Sequence, residues 1–271
     1  MHNIAQTFTL LKEKGRKALM PYVTLGYPAL TSALDIVPAL AEAGADLVEL
    51  GVPFSDPLAD GATIQAAAQR ALENGMSLAL CLEQAAALRA RGVTIPFVLM
   101  GYYNPIMQFG IEHFVEQAVA AGIDGLIVPD LPPEEAGDLY TAATARGLDV
   151  IFLLAPTSDA ARVQTVAARS GGFIYLVSLV GVTGARESLP PDLAEFVARV
   201  RAVTEKPLAV GFGIATPEQA AQVARLADGV IVGSALVKVI GAADHPAEAA
   251  RTFVAALRMG IDIQSCKDSM D

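Results

Sequence analysis

Short, continuously apolar runs alternate with alanine-rich amphipathic stretches along the whole chain. The apolar runs fall at residues 18–25, 47–51, 95–101, 125–128, 149–154, 173–179, 208–211 and 229–232. They do not alternate apolar with polar, which is the pattern of parallel strands buried on both faces. Helical periodicity fills the gaps at 31–43, 78–91, 111–121, 133–146, 160–169, 191–204 and 217–226, and again at 247–259. Eight strand–helix units predict an α/β fold, a single (β/α)8 TIM barrel. An open, doubly wound sheet is the alternative. A further amphipathic stretch at 4–14 predicts an extra N-terminal helix over the barrel floor. The expected layout is one domain: residues 1–17 as that helix, 18–259 as the barrel and 260–271 as a tail.

Three segments read as copies of one unit: AGADLVELGVP (43–53), AGIDGLIVPDLP (121–132) and LADGVIVGS (226–234). Each ends a helix, turns at Asp or Gly, and enters a strand. Aligning Asp46, Asp124 and Asp228 places Glu49 where the other copies carry Ile127 and Ile231. A carboxylate thus stands in a slot built for isoleucine. Buried without a partner it is costly, and its pKa is expected to rise. The competing reading is a structural ion pair in the barrel wall.

Active sites of this fold lie at the C-terminal ends of the strands. Glu49 is near the end of the second run. The loop after it, GVPFSDPLADGATIQ (51–65), carries Asp56 and Asp60, and Asp60 is far enough along to fold back over the mouth. Asp56 in a Ser-Asp-Pro turn reads as a turn former. Asp130, ending the fourth run, reads as a helix cap before Pro132–Pro133. The last three runs end in glycine-bearing loops, GVTGAR (181–186), GFGIATPEQ (211–219) and VGSALV (232–237). Glycine lets backbone N–H groups approach a ligand, and the helical stretch after Gly233–Ser234 would present an anion-binding N-terminus. Ordinary tight turns are the other reading of these loops. A mouth with a carboxylate side and a phosphate side suits cleavage or isomerisation of a phosphorylated substrate.

Composition narrows the chemistry. At 53% hydrophobic and 18% charged residues, disorder is excluded. No run is long enough for a transmembrane helix, and the first twenty residues lack the basic-then-apolar layout of a secretory leader. The two cysteines, Cys81 and Cys266, suit a reducing compartment, so a cytoplasmic protein is expected. A net charge of −10 makes nucleic acid and anionic membranes poor partners. No lysine stands at a strand's C-terminal end, which removes Schiff-base chemistry. The three histidines, His2, His113 and His245, are scattered, so no metal site is expected. Cys81 reads as core packing. Carboxylate acid–base chemistry remains.

These segments resemble the tryptophan synthase alpha subunit family. ELGVPFSDPLADG (49–61), MGYYNPI (100–106), GLIVPDLPPEE (125–135), GVTGAR (181–186) and GFGI (211–214) stand in family order, and the likeness runs from about residue 21 to the final helix. The resemblance implies a lyase that splits indole-3-glycerol phosphate into indole and glyceraldehyde 3-phosphate by an acid–base retro-aldol step. It implies no cofactor in this chain. It also implies a beta-subunit partner, in an alpha2-beta2 complex, that joins indole to serine with its own pyridoxal phosphate.

By motif, Glu49 and Asp60 become the catalytic pair, with Glu49 moving protons and Asp60 accepting the indole N–H. Gly184, Gly213, Gly233 and Ser234 become phosphate contacts. Tyr175, Phe212, Tyr102 and Met100 line the indole pocket, and Thr183 meets Asp60 on loop closure. Pro53, Phe54, Asp56, Pro57, Asn104, Pro105 and Pro132 become the partner-facing residues. One departure is Ala62, where many relatives have proline, which bears on the stiffness of its loop. A stand-alone indole-producing lyase and another phosphosugar barrel enzyme remain alternatives.

Overall fold

The computed structural model describes residues 3–177, 191–211 and 213–268, with only the backbone of 264–268. The strands are β1 (Ala18–Thr24), β2 (Val48–Gly51), β3 (Phe97–Met100), β4 (Gly125–Ile127), β5 (Asp149–Ile151), β6 (Leu153–Leu154), β7 (Ile174–Val177), β8 (Leu208–Gly211) and β9 (Gly229–Val232). The helices are α1 (Ile4–Glu13), α2 (Ala33–Glu42), α3 (Ala62–Glu73), α4 (Leu78–Ala90), α5 (Tyr103–Phe109), α6 (Ile111–Ala120), α7 (Gly137–Ala145), α8 (Ala160–Arg169), α9 (Leu193–Arg201), α10 (Pro217–Leu226), α11 (Ser234–Ala242) and α12 (Pro246–Asp268).

All neighbouring strands pair in parallel, in the order β5-β4-β3-β2-β1-β9-β8-β7-β6. β5 and β6 are halves of one barrel strand, so the ring is a (β/α)8 barrel. The single run expected at 149–154 divides at Phe152. There the Phe152 N–H donates to Ser170 Oγ at 2.9 Å, and that hydroxyl donates onward to the Phe173 carbonyl at 3.0 Å. A side chain replaces the neighbouring strand at that position.

The strands are buried on nearly every residue, as their continuous apolarity predicts. Inward positions, among them Met20, Leu47, Val98, Ile127, Ile151, Phe173 and Ile231, fill the barrel. The outward positions pack under the helices. α1 lies across the floor, as its amphipathic pattern predicts. Its buried Ile4, Phe8 and Leu11 join the interior cluster, with the Phe8 and Phe173 rings 5.8 Å apart.

The repeat also has a structural meaning at the floor. Asp46, Asp124 and Asp228 each accept a backbone N–H from the first or second residue of an adjacent strand, Leu19, Phe97 and Leu208, all at 2.9 Å. Each also meets an arginine: Arg258 at 3.1 Å, Arg89 at 2.7 Å, and Arg201 respectively. Cys81 is fully buried in the core, as expected, and burial pushes its thiol pKa up.

Helices differ from expectation in three places. α3 and α5 were not anticipated. α3 buries Ile64, Ala67, Ala68 and Ala71, mostly small side chains, directly after the turn-rich loop that follows β2. α5 has Pro105 in its first turn and is capped from outside, because the Tyr103 N–H donates to Asp130 Oδ1 at 3.0 Å. A cap from 27 residues away leaves no local signal. The final helix runs beyond residue 259 to Asp268.

Candidate active site

The pocket at the C-terminal mouth is lined by Tyr22, Glu49, Asp60, Gly61, Ile64, Met100, Tyr175, Ile231, Gly233 and Ser234, around a cavity of about 50 Å³. Six of the residues expected to carry function therefore meet in one place: Glu49, Asp60, Met100, Tyr175, Gly233 and Ser234.

Glu49 sits in the middle of β2, facing the barrel interior in register with Tyr22 of β1 and Val98 of β3. Ile127 and Ile231, its counterparts in the repeat, belong to the interior cluster. Glu49 is only 1% exposed, and its Oε1 has no hydrogen-bond partner among the described residues. It is not the ion pair that the competing reading required. Burial alone pushes its pKa up to about 8, so the carboxyl is mostly protonated at neutral pH.

Asp60 closes the loop after β2. Its backbone N–H donates to Pro57 O at 3.1 Å, and its carbonyl accepts from Gln65 Nε2 at 2.8 Å. Its pKa rises to about 6 through burial, opposed by a hydrogen bond from Tyr102. The two carboxyls are thus displaced upward by different amounts. Asp60 is ionised where Glu49 still holds its proton. The loop itself is less solvated than a polar loop would be, which corrects the expected reason for Asp60 staying charged.

Tyr102 takes a different place from the one expected. Its hydroxyl accepts the Ala59 N–H at 3.0 Å and donates to Asp60, and its ring packs on Phe54 at 5.3 Å. It supports the Asp60 loop from beside the pocket. With these bonds and the Gly61 N-cap of α3, the loop is tied down with alanine at position 62. Asp130 is engaged in capping α5 rather than a helix of its own loop, and Asp56 is exposed and accepts from Ser55 Oγ at 2.5 Å.

On the other side, Gly233 precedes α11, whose N-terminus opens on the pocket with Ser234 as its first residue. Gly213 has φ +82°, a conformation that favours glycine. Thr183, Gly184 and Phe212 lie outside the described residues. Of the residues expected to face a partner, Asp56 and Asn104 are exposed, and Phe54, Pro57, Pro105 and Pro132 are half-buried. Pro53 is buried and so offers no exposed surface for docking.

Sequence reasoning missed Tyr22, Gly61, Ile64 and Leu58. Period-two alternation from Met20 would have put Tyr22 on the inner face. Leu58, at the tip of the Asp60 loop, is 90% exposed. Among the described residues no cluster of three His, Cys, Asp or Glu could hold a metal, and no helix is long and apolar enough to cross a membrane.

Comparison with known proteins agrees with this geometry. Residues 8–263 match the family model described as tryptophan synthase alpha chain. The chain is similar to the tryptophan synthase alpha chain of Chloroflexus aurantiacus, 56% identical over 88% of this chain and 89% of that one. It is 54% identical to the Roseiflexus sp. protein of the same name, over 95% and 100%. Among solved structures, tryptophan synthase subunit alpha from Legionella pneumophila superposes with a TM-score of 0.90 at 40% identity, covering 97% of this chain and all of that one. A Mycobacterium tuberculosis tryptophan synthase chain gives 0.88 at 39% identity, over 95% and 97%.

Proposed function

The chain belongs to the tryptophan synthase alpha chain family, and from that premise we propose how its mouth pocket performs the family's reaction. It is a carbon–carbon lyase that splits indole-3-glycerol phosphate into indole and glyceraldehyde 3-phosphate, a step of tryptophan biosynthesis. It needs no cofactor of its own. The pyridoxal phosphate belongs to the beta subunit, its partner, which consumes indole.

The observation that carries the assignment of roles is the buried, unpartnered carboxyl of Glu49 facing the pocket. Protonated at rest, it delivers its proton to C3 of the indole ring. The carboxylate so formed then removes the proton from the glycerol hydroxyl beside the C3 bond. That bond breaks, its electrons return to the ring, and the hydroxyl carbon becomes the aldehyde. One group with a pKa near neutrality serves both steps. Asp60, ionised, accepts the indole N–H and stabilises the positive ring formed by C3 protonation. Met100, Tyr175, Ile64 and Ile231 surround the ring, and the α11 N-terminus with Gly233 and Ser234 anchors the phosphate.

We place the beta subunit over this face, so that indole passes across without entering water. The exposed Leu58 at the loop tip supports that reading, together with Phe54, Asp56, Pro57, Asn104, Pro105 and Pro132. A cytoplasmic setting fits the biosynthetic role. The test is indole release by purified protein supplied with indole-3-glycerol phosphate, alone and with beta subunit. Wild type releases indole, faster with the partner, and Glu49→Gln does not. Release by Glu49→Gln at the wild-type rate overturns the assignment.

A further inference from the structure

Tyr22 is a polar group of the pocket to which the steps above give no task. It lies on β1, in register with Glu49 on β2. β1 is also the strand between β2, which bears the proton-transferring carboxyl, and β9, which leads to the phosphate-side helix. The side chain crosses that gap. Its Cβ lies 3.7 Å from where a side chain at Gly233 would begin, and its hydroxyl rests over Gly51, where a Cβ would stand 2.1 Å from the oxygen. Only glycine at position 51 leaves room for the phenol in this position.

The Tyr22 side chain is almost completely buried. Its oxygen accepts from Thr24 Oγ1 at 3.3 Å, and no described residue accepts its hydrogen. Burial, with Asp60 and Glu49 nearby, pushes the phenol pKa far up, so it remains an O–H donor. Tyr175 is set in the same way on the far wall, its hydroxyl over Gly211.

We propose that Tyr22 is a substrate-positioning residue whose O–H donates to the glycerol hydroxyl oxygen next to the breaking bond. The assignment rests on the indole-3-glycerol phosphate reading. With the ring held at Asp60 and the phosphate at α11, the glycerol chain must pass between β2 and β9, where Tyr22 stands. The substrate hydroxyl accepts from Tyr22 and donates to Glu49, which orients its proton for removal. As that proton leaves, negative charge grows on the oxygen and the Tyr22 hydrogen bond strengthens, before the oxygen becomes the aldehyde carbonyl.

Tyr22→Phe removes the hydroxyl and keeps the ring. It is compared with wild type on indole-3-glycerol phosphate and on 3-(indol-3-yl)propyl phosphate, which has the ring and phosphate without the glycerol hydroxyls. The expected result is a kcat for indole release lowered ~10–100-fold, the larger part of the change lying in kcat rather than KM. Affinity for the propyl phosphate and the thermal midpoint stay at wild-type values. Equal weakening of both ligands means that Tyr22 only packs the pocket, and overturns the proposal. So does wild-type turnover by Tyr22→Phe. Wild-type protein that releases no indole at all overturns the reading beneath it as well.

Discussion

The two ends of this barrel handle carboxylates in opposite ways. At the floor, Asp46, Asp124 and Asp228 each hold a backbone N–H and an arginine. Arg89 is the fullest case. Besides Asp124 it reaches the carbonyls of Val93, Ile95 and Gly122, and its guanidinium lies 3.5 Å from the centre of the Phe97 ring. At the mouth, three residues along the same repeat from Asp46, Glu49 is buried without a cation, and one oxygen lacks even a hydrogen-bond donor. A partnered carboxylate builds a wall. An unpartnered one holds its proton near neutral pH and can pass it on. The repeat thus supplies the frame, and one exchange of isoleucine for glutamate supplies the acid–base group.

Removing the mouth carboxyl breaks the comparison most sharply. Glu49→Gln should lower indole release by ~10²–10⁴-fold, because the amide cannot shuttle a proton. It should also be more stable than wild type in alkali. The folded pKa, about 8, lies above the ordinary value of 4.5, so the native state binds the extra proton and wild-type stability falls as pH rises between them. The gain should approach about 5 kcal/mol above pH 8 and vanish below pH 4.5, read by denaturant titration at several pH values. Asp60→Asn should also lose most turnover, since an amide cannot balance the charge on the ring. Wild-type turnover there would remove Asp60 from the reaction, and Asp130 could not replace it while it caps α5.

A change at the floor should do the reverse. Arg89→Met leaves the half-buried Asp124 without its cation and takes a donor from three carbonyls, a loss of about 2–3 kcal/mol. Turnover per folded molecule should hardly change. Equilibrium unfolding and active-site-normalised rates separate the two, and a mutant that loses activity while keeping stability would blur the division between the ends.

The phosphate side gives a smaller effect, best tested at Gly233. A Cβ there meets Tyr22 only at ordinary contact distance, whereas at Gly213 the positive φ would strain any side chain. Gly233→Asp should therefore fold normally and raise KM for indole-3-glycerol phosphate by placing a negative charge beside the anion. An unchanged KM would move the phosphate elsewhere. The mildest change is Leu58→Ala, which should weaken beta-subunit binding by roughly tenfold and leave the lyase rate of the isolated chain intact. Titration calorimetry against the partner decides this.

Much of this was legible in the residues. Continuous apolar runs gave the parallel barrel, the amphipathic pattern at 4–14 gave the floor helix, and the aligned repeats put Glu49 on the inner face. Less legible were features made by distant parts of the chain. α5 depends on Asp130 for its cap, and the fifth strand divides because Ser170 intrudes. Tyr102 looks like a pocket-lining aromatic until its hydroxyl is seen holding Ala59 and Asp60. Tyr22 stands out less, because a tyrosine within an apolar run has no distinguishing local pattern and its glycine cradle lies on another strand. The raised pKa of Asp60 follows from how far its loop folds in, which turn residues alone do not specify.

The pH dependence of kcat/KM for indole release tests the separation of the two mouth carboxyls most directly. The reactive form carries Asp60 ionised and Glu49 protonated. The profile should be a bell, its acid limb near the Asp60 pKa of about 6 and its alkaline limb near the Glu49 pKa of about 8. The alkaline limb should disappear from the residual activity of Glu49→Gln. A wild-type profile that falls off just above the ordinary carboxyl value of 4.5, or that stays flat through pH 8, would contradict a neutral, proton-bearing Glu49.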